Sequence, residues 1–228
     1  MFKKKNTILC IAAHPDDEAL GPGGTLIKHV LENDNVNIII FSDGEGAKKN
    51  IKQINPKRIQ AAQSWCKITG CLLLEVKDFP DQKLDTVPQI NLVSIIEKVL
   101  DDIKPNIVYI HNPTDINKDH QTLADASLVA LRPMRLGLNF PEIRAYETPS
   151  STEQSPNIEK YIFMPNLYVS VASVWDKKIE ALECYKKELG DFPHPRSIRS
   201  IESLAIKRGT ESGLEKAEAF MVLKKIIT

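Results

Sequence analysis

Apolar and polar positions follow two rhythms along the first two-thirds of the chain. A short continuous apolar run at 7–13 has the length of a strand covered on both faces, and further strands are expected at 36–41, 71–75 and 106–110. Between them, segments 25–31, 56–69, 87–103 and 121–131 carry apolar residues at helical spacing. Pro56 suits a first helical turn, Gly70 a helix end, and Pro133 stops the last of these helices. Trp65 and Trp175 stand among apolar neighbours at helical spacing and are expected in the core.

Strands alternating with helices predict a parallel sheet with right-handed crossovers. The expected class is α/β, a Rossmann-like three-layer α/β/α arrangement with a mostly parallel sheet. The last third changes rhythm: strands are expected at 142–148 and 167–172, with a Ser/Thr/Pro loop at 149–166 between them. A helix at 175–189 and a proline-stiffened loop at 191–197 follow, and one or two helices finish the chain. Neither linker composition nor a repeat interrupts this order, so 1–228 reads as one domain. Residues 1–135 form its core, and 136–228 supply the remaining strands, helices and a loop on the substrate side.

Composition narrows the partners. Lys plus Arg and Asp plus Glu each total 30, which gives no electrostatic case for a nucleic acid. The apolar run after Lys3, Lys4 and Lys5 is too short for a signal peptide core, and no stretch is long enough to span a bilayer. A cytoplasmic location is therefore expected. Cys10, Cys66, Cys71 and Cys184 lack CxxC spacing and read as reduced thiols.

In a parallel sheet, ligands bind beyond the carboxyl ends of the strands, and the unusual residues fall there. His14-Pro15-Asp16-Asp17-Glu18 follows the first strand, Asp43 and Glu45 the second, and His111 through His120 the fourth. Consecutive Asp16 and Asp17 side chains leave the turn in different directions, so one can meet a metal and the other the substrate. His14, one such carboxylate and His120 would form a three-ligand set with room for water, as catalytic rather than structural zinc has. Arg58 and Arg196 are candidates to hold a phosphate or carboxylate of the substrate, since guanidinium forks suit both. Asp43 and Glu45 could accept sugar hydroxyls, and His29 reads as an ordinary helix-face residue.

These motifs resemble the PIG-L/LmbE-like deacetylases, whose signature is (A/P)HPDDE followed much later by a DH pair. Ala13 through Glu18 match the first motif, and Asp119-His120 the second. Segments 79–85, 117–121, 132–133, 147–153 and 193–197 extend the resemblance over nearly the whole chain, toward a branch associated with bacterial surface-sugar genes. The resemblance implies His14, Asp17 and His120 as zinc ligands, with Fe2+ or Co2+ also acceptable to such donors. It implies Asp16 as general base toward the water that attacks an acetamido group of an amino sugar, the sugar being free or linked to a nucleotide or lipid. Asp119 would orient a ligand. Two departures stand out: Asn117 occupies the place of a histidine proposed to steady the oxyanion, and Gln154 that of a frequent aromatic residue. Asn117 can offer an amide N–H, and His194 with Arg196 are candidates to complete that side; His111 and Asp115 are candidates to assist proton transfer or meet substrate. Relatives often form homo-oligomers. Rival readings are an amidohydrolase of a non-sugar substrate and a silent sugar-nucleotide-binding protein, though no GxGxxG follows the first strand.

Overall fold

The computed structural model describes residues 5–46 and 57–227. Five strands, β1 (Thr7–Ala12), β2 (Asn35–Ser42), β3 (Leu72–Phe79), β4 (Ile107–His111) and β5 (Glu142–Tyr146), run parallel. Two more, β6 (Leu167–Ser170) and β7 (Ala217–Lys224), complete a mixed sheet in the order β3-β2-β1-β4-β5-β7-β6. The helices are α1 (Asp17–Leu20), α2 (Gly23–Leu31), α3 (Lys57–Thr69), α4 (Gln89–Ile103), α5 (Lys118–Ala130), α6 (Pro133–Leu136), α7 (Trp175–Leu182) and α8 (Ile198–Thr210).

Strand β1 shows why three layers form. Its side chains alternate, with Ile8, Cys10 and Ala12 in one core and Leu9, Ile11 and Ala13 continuing into the other. The first core is filled from α3 by Trp65 and Cys66 and from α7 by Trp175 and Leu182. The second is filled from α4 by Leu92 and Ile96 and from α5 by Leu123 and Ala126. Each fully buried Ile or Leu contributes about 1.5–3 kcal/mol, so a central strand apolar on both faces anchors the sheet. The chain leaves β1 for β2 on one side and later returns to β4 on the other. This order reverses direction at β1, and a crevice opens there at the strands' carboxyl ends.

The expected strands and helices occur with boundaries shifted by a few residues, and β3 runs on to Phe79. Pro56 lies outside the described residues. The predicted helix at 175–189 stops at Leu182, and a tighter 3-10 turn, Glu183–Tyr185, follows. The chain's last element departs more. Helix α8 is present, but residues 217–224 form β7 rather than a helix. Their Ala, Glu, Met, Leu and Lys content favours a helix locally, while a place between β5 and β6 gives a strand more partners. β7 also has a structural task. From it, the Glu218 carboxylate accepts the Gly24 and Thr25 amides at the start of α2, both at 2.7 Å, and pairs with buried Lys178 at 2.7 Å. All four cysteines are free thiols, as expected. No helix among the described residues is long and apolar enough to cross a membrane.

Candidate active site

Where β1 ends, the chain turns through His14 and Pro15 into an unusual backbone at Asp16, with φ 123°. Such a conformation is rare for a residue with a Cβ and marks a place where surrounding contacts dictate geometry. The Asp16 amide donates to Glu18 Oε2 at 3.1 Å, and its carbonyl accepts the Ala19 and Leu20 amides. Glu18 is in turn gripped by the Tyr185 hydroxyl at 2.5 Å, and burial pushes its carboxyl up to about 8. Glu18 thus braces the turn from below. With the backbone set, Asp16 and Asp17 do diverge.

Asp17 faces two imidazoles. Its Oδ2 lies 3.3 Å from His14 Nδ1 and accepts the His14 amide at 2.8 Å, while Oδ1 lies 3.4 Å from His120 Nε2. One ligand atom from each of His14, Asp17 and His120 falls within 4.8 Å of the others, and all three residues are buried. Asp17 Oδ1 and His120 Nε2 have no hydrogen-bond partner, a cost that buried polar atoms rarely bear without a ligand. Burial alone would favour a neutral His120, but Asp17 and Asp115 beside it hold its pKa up at about 9. Two imidazoles and one carboxylate, with lone pairs turned to a shared point, fit a divalent cation with open coordination positions.

Each histidine has its own carboxylate behind it. His14 Nε2 contacts Asp119 Oδ2 at 3.0 Å and Asp81 Oδ1 at 3.2 Å, which leaves Nδ1 as its ligand atom. Asp119 is itself fixed by the Gln82 and Leu84 amides at 2.7 and 2.9 Å. His120 Nδ1 lies 3.4 Å from Asp115 Oδ2. Asp115 accepts the Ser151 hydroxyl, the Thr152 hydroxyl at 2.7 Å and the Asn117 amide at 2.8 Å. Carboxylates placed in this way fix the ring orientation and raise the basicity of the ligand nitrogen.

Asp16 pairs with two arginines rather than with a histidine. Its Oδ2 accepts from Arg58 Nη2 at 2.8 Å and Arg196 Nη1 at 2.9 Å, and its Oδ1 is buried without a partner. Burial pushes its pKa up, and the two guanidiniums pull against that rise.

The sequence profile of the PIG-L family, described as GlcNAc-PI de-N-acetylase, matches residues 9–131, more than half of the chain, including both the His14–Glu18 segment and the Asp119-His120 pair. The chain belongs to the PIG-L family. Its relatives include the uncharacterized deacetylase YaiS of Escherichia coli, 28% identical over 80% of this chain and 92% of that one. Diacetylchitobiose deacetylase of Thermococcus kodakarensis is 22% identical over 95% of this chain and 83% of its own length. Among solved structures, the 4-carboxy-2-hydroxymuconate hydratase GalB of Pseudomonas putida has the same fold, with a TM-score of 0.74, 19% identity and 98% of each chain covered. The α/β class expected from sequence is that of this family's known structures.

For a PIG-L protein, several residues lie elsewhere than the sequence suggested. His111, expected to assist proton transfer or meet substrate, is buried against His120. It is 1% exposed, its Nε2 accepts the Ala13 amide at 3.0 Å, and its ring stacks on His120 with centroids 3.9 Å apart. Burial and neighbouring His120 push its pKa down to about 4, so it is a neutral platform beneath the His120 ring. Arg58 and Arg196, expected to hold a substrate anion, each give one nitrogen to Asp16, while Arg58 Nε has no hydrogen-bond partner and its side chain lines a cavity of about 350 Å³. His194 is exposed, and its Nδ1 accepts the Arg196 amide at 3.1 Å, which shapes the loop rather than reaching the metal ligands. Asp43 folds its carboxylate onto the Glu45 amide at 3.0 Å within its own loop. Asn117 caps α5, with its Oδ1 accepting the Asp119 amide at 2.9 Å, so Nδ2 is the end left to donate.

Sequence reasoning gave Asp81, Ser151, Thr152 and Tyr185 no role, and it placed Glu18 in the first motif without a task of its own. Asp81 and the pair Ser151-Thr152 did lie in segments that carried the family resemblance. Glu18 and Tyr185 are 167 positions apart, and no local pattern joins them. A cavity of about 630 Å³ is bounded by the Thr148–Thr152 segment, Phe163 and the loop with Pro193 and Pro195, and it connects to the site through Thr152, whose hydroxyl donates to Asp115.

Proposed function

We propose that this protein is a metal-dependent N-deacetylase that removes the acetyl group from an amino sugar or sugar conjugate. The observation that carries this reading is the convergence of His14, Asp17 and His120 on one point, with the unpartnered Asp16 Oδ1 on the adjoining residue. Bound there, zinc or a similar divalent cation supplies Lewis acidity toward the amide carbonyl and lowers the pKa of a water.

The chain's own residues do the rest. Asp16 accepts the proton of the attacking water at Oδ1, the carboxylate oxygen that no arginine occupies. The same carboxyl then returns the proton to the departing nitrogen, which leaves as an amine. Asn117 Nδ2 donates to the developing oxyanion, a neutral donor in place of a charged one. Asp119 and Asp115 hold the two imidazoles in the orientation that binds metal. The 630 Å³ cavity, built partly from the segment that carries Thr152, offers room for the rest of a sugar conjugate.

A second reading comes from the hydratase that shares this fold: addition of water across a carbon–carbon double bond of a polycarboxylate. Such a substrate needs cationic groups for its carboxylates, and here Arg58 and Arg196 are engaged by Asp16. That favours an uncharged amide.

The test is a panel of N-acetyl sugars, nucleotide sugars and glycosides with zinc-loaded protein, reading acetate and free amine together. Wild type should release both in equal amounts, and Asp16→Asn should lower the rate by about 10²–10⁴-fold. Water addition to an unsaturated acid without acetate release from any panel member would favour the second reading.

A further inference from the structure

The two arginines around Asp16 come from opposite ends of the chain, and neither is free to move. Arg58, from the first turn of α3, also donates to the Pro15 carbonyl at 2.8 Å and the Gly44 carbonyl at 2.5 Å. Gly44 has φ +70°, and any Cβ there would collide with the guanidinium, so the loop after β2 is shaped around this arginine. Arg196, from the loop before α8, donates through Nε to Ser150 Oγ at 2.6 Å. Ser150 is itself in the left-handed region, with φ 72°. The ring of His194 lies on Gly190, where a Cβ would come within 2.6 Å of it, and His194 Nδ1 holds the Arg196 amide. Three strained or glycine-dependent sites thus seat two side chains on a single carboxylate oxygen.

We infer that Arg58 and Arg196 form a clamp that positions the general base. The inference rests on the deacetylase reading for its chemistry but on this geometry for its content. With Oδ2 held by two charged donors on different sides, the carboxylate cannot rotate about its Cβ–Cγ bond. Oδ1 alone remains to meet a proton. Asp16's backbone, in an unfavourable conformation of its own, would not keep the side chain there unaided. A lysine could replace the charge of either arginine but not its fork, which serves Asp16 and a second oxygen at once.

The proposal predicts a separation of kinetic constants. On the N-acetyl sugar that wild type turns over fastest, Arg196→Ala should lower kcat by about 100-fold, the cost of a base displaced by an ångström, and leave KM nearly unchanged. Guanidinium chloride at a non-denaturing concentration should restore part of kcat, and Arg196→Lys should fall between the two. A raised KM with kcat intact would overturn the clamp and make Arg196 a substrate ligand. A second measurement needs no turnover. In a thermal double-mutant cycle with Asp16→Asn, Arg196→Ala should lower Tm markedly when Asp16 is present and much less when it is not. Equal losses in both backgrounds would refute the pairing. If no panel member is hydrolysed, the deacetylase reading fails, while the cycle still decides on the clamp.

Discussion

Two clusters of histidine and carboxylate sit on this sheet, and they differ in one respect. Toward the amino ends of the strands, His29 Nδ1 contacts Asp34 at 2.7 Å, and its Nε2 meets the Tyr109 hydroxyl at 3.0 Å. Tyr109 also accepts from Arg144 at 2.7 Å, Arg144 donates to Glu142, and Asp34 accepts the Asn6 amide. Among the described residues, no buried side-chain atom of this chain of contacts lacks a partner. At the carboxyl ends, Asp16 Oδ1, Asp17 Oδ1 and His120 Nε2 all do. The first cluster is saturated and ties α2 to β4 and β5. The second keeps hydrogen-bonding capacity that no residue around it takes up. Residue type does not separate the two; unspent hydrogen-bonding capacity does.

The largest effect should come from emptying the open cluster. Zinc at about 100 times its Kd should stabilise wild type by about 2.7 kcal/mol, read as a rise in Tm, and His120→Ala should abolish that rise. Asp115→Asn should keep the rise but require about 10–100-fold more zinc, because it removes the group behind His120 rather than the ligand. In the saturated cluster, His29→Ala should cost about 1–3 kcal/mol of stability in denaturant melts, by removing one partner each from Asp34 and Tyr109, with zinc affinity unchanged. A loss of zinc affinity in that variant would break the comparison.

The smallest effect is one of pH. Burial holds the pKa of His29 below its ordinary value, against the pull of Asp34. The unfolded chain therefore takes up the proton first. The contribution of neutral His29 is complete above the unfolded value, near 6.5, and is lost as pH falls toward the lower folded one. Between pH 7.5 and 5.5, wild type should lose more Tm than His29→Gln does.

Much of this was legible in the sequence, for identifiable reasons. β1, β2 and β4 are buried on both faces and read as plain apolar runs. The candidate metal ligands follow strand ends, where topology gathers chain-distant residues whatever their spacing. β7 was not legible, because its composition favours a helix and only its neighbours make it a strand. His29 looked ordinary because its partners, Asp34 aside, lie on other elements. Arg58 and Arg196 looked like anion binders, and so they are, but the anion is Asp16. A guanidinium's preference for carboxylates can be read from sequence; whose carboxylate it meets is set by the fold.

The most direct test of this account is metal stoichiometry by equilibrium dialysis against zinc, followed by elemental analysis. Wild type should retain one zinc per chain, and Asp17→Ala and His14→Ala should each retain almost none, while His29→Ala retains the full amount. One zinc retained in the Asp17 or His14 variant, or none in wild type, would contradict the assignment of the site.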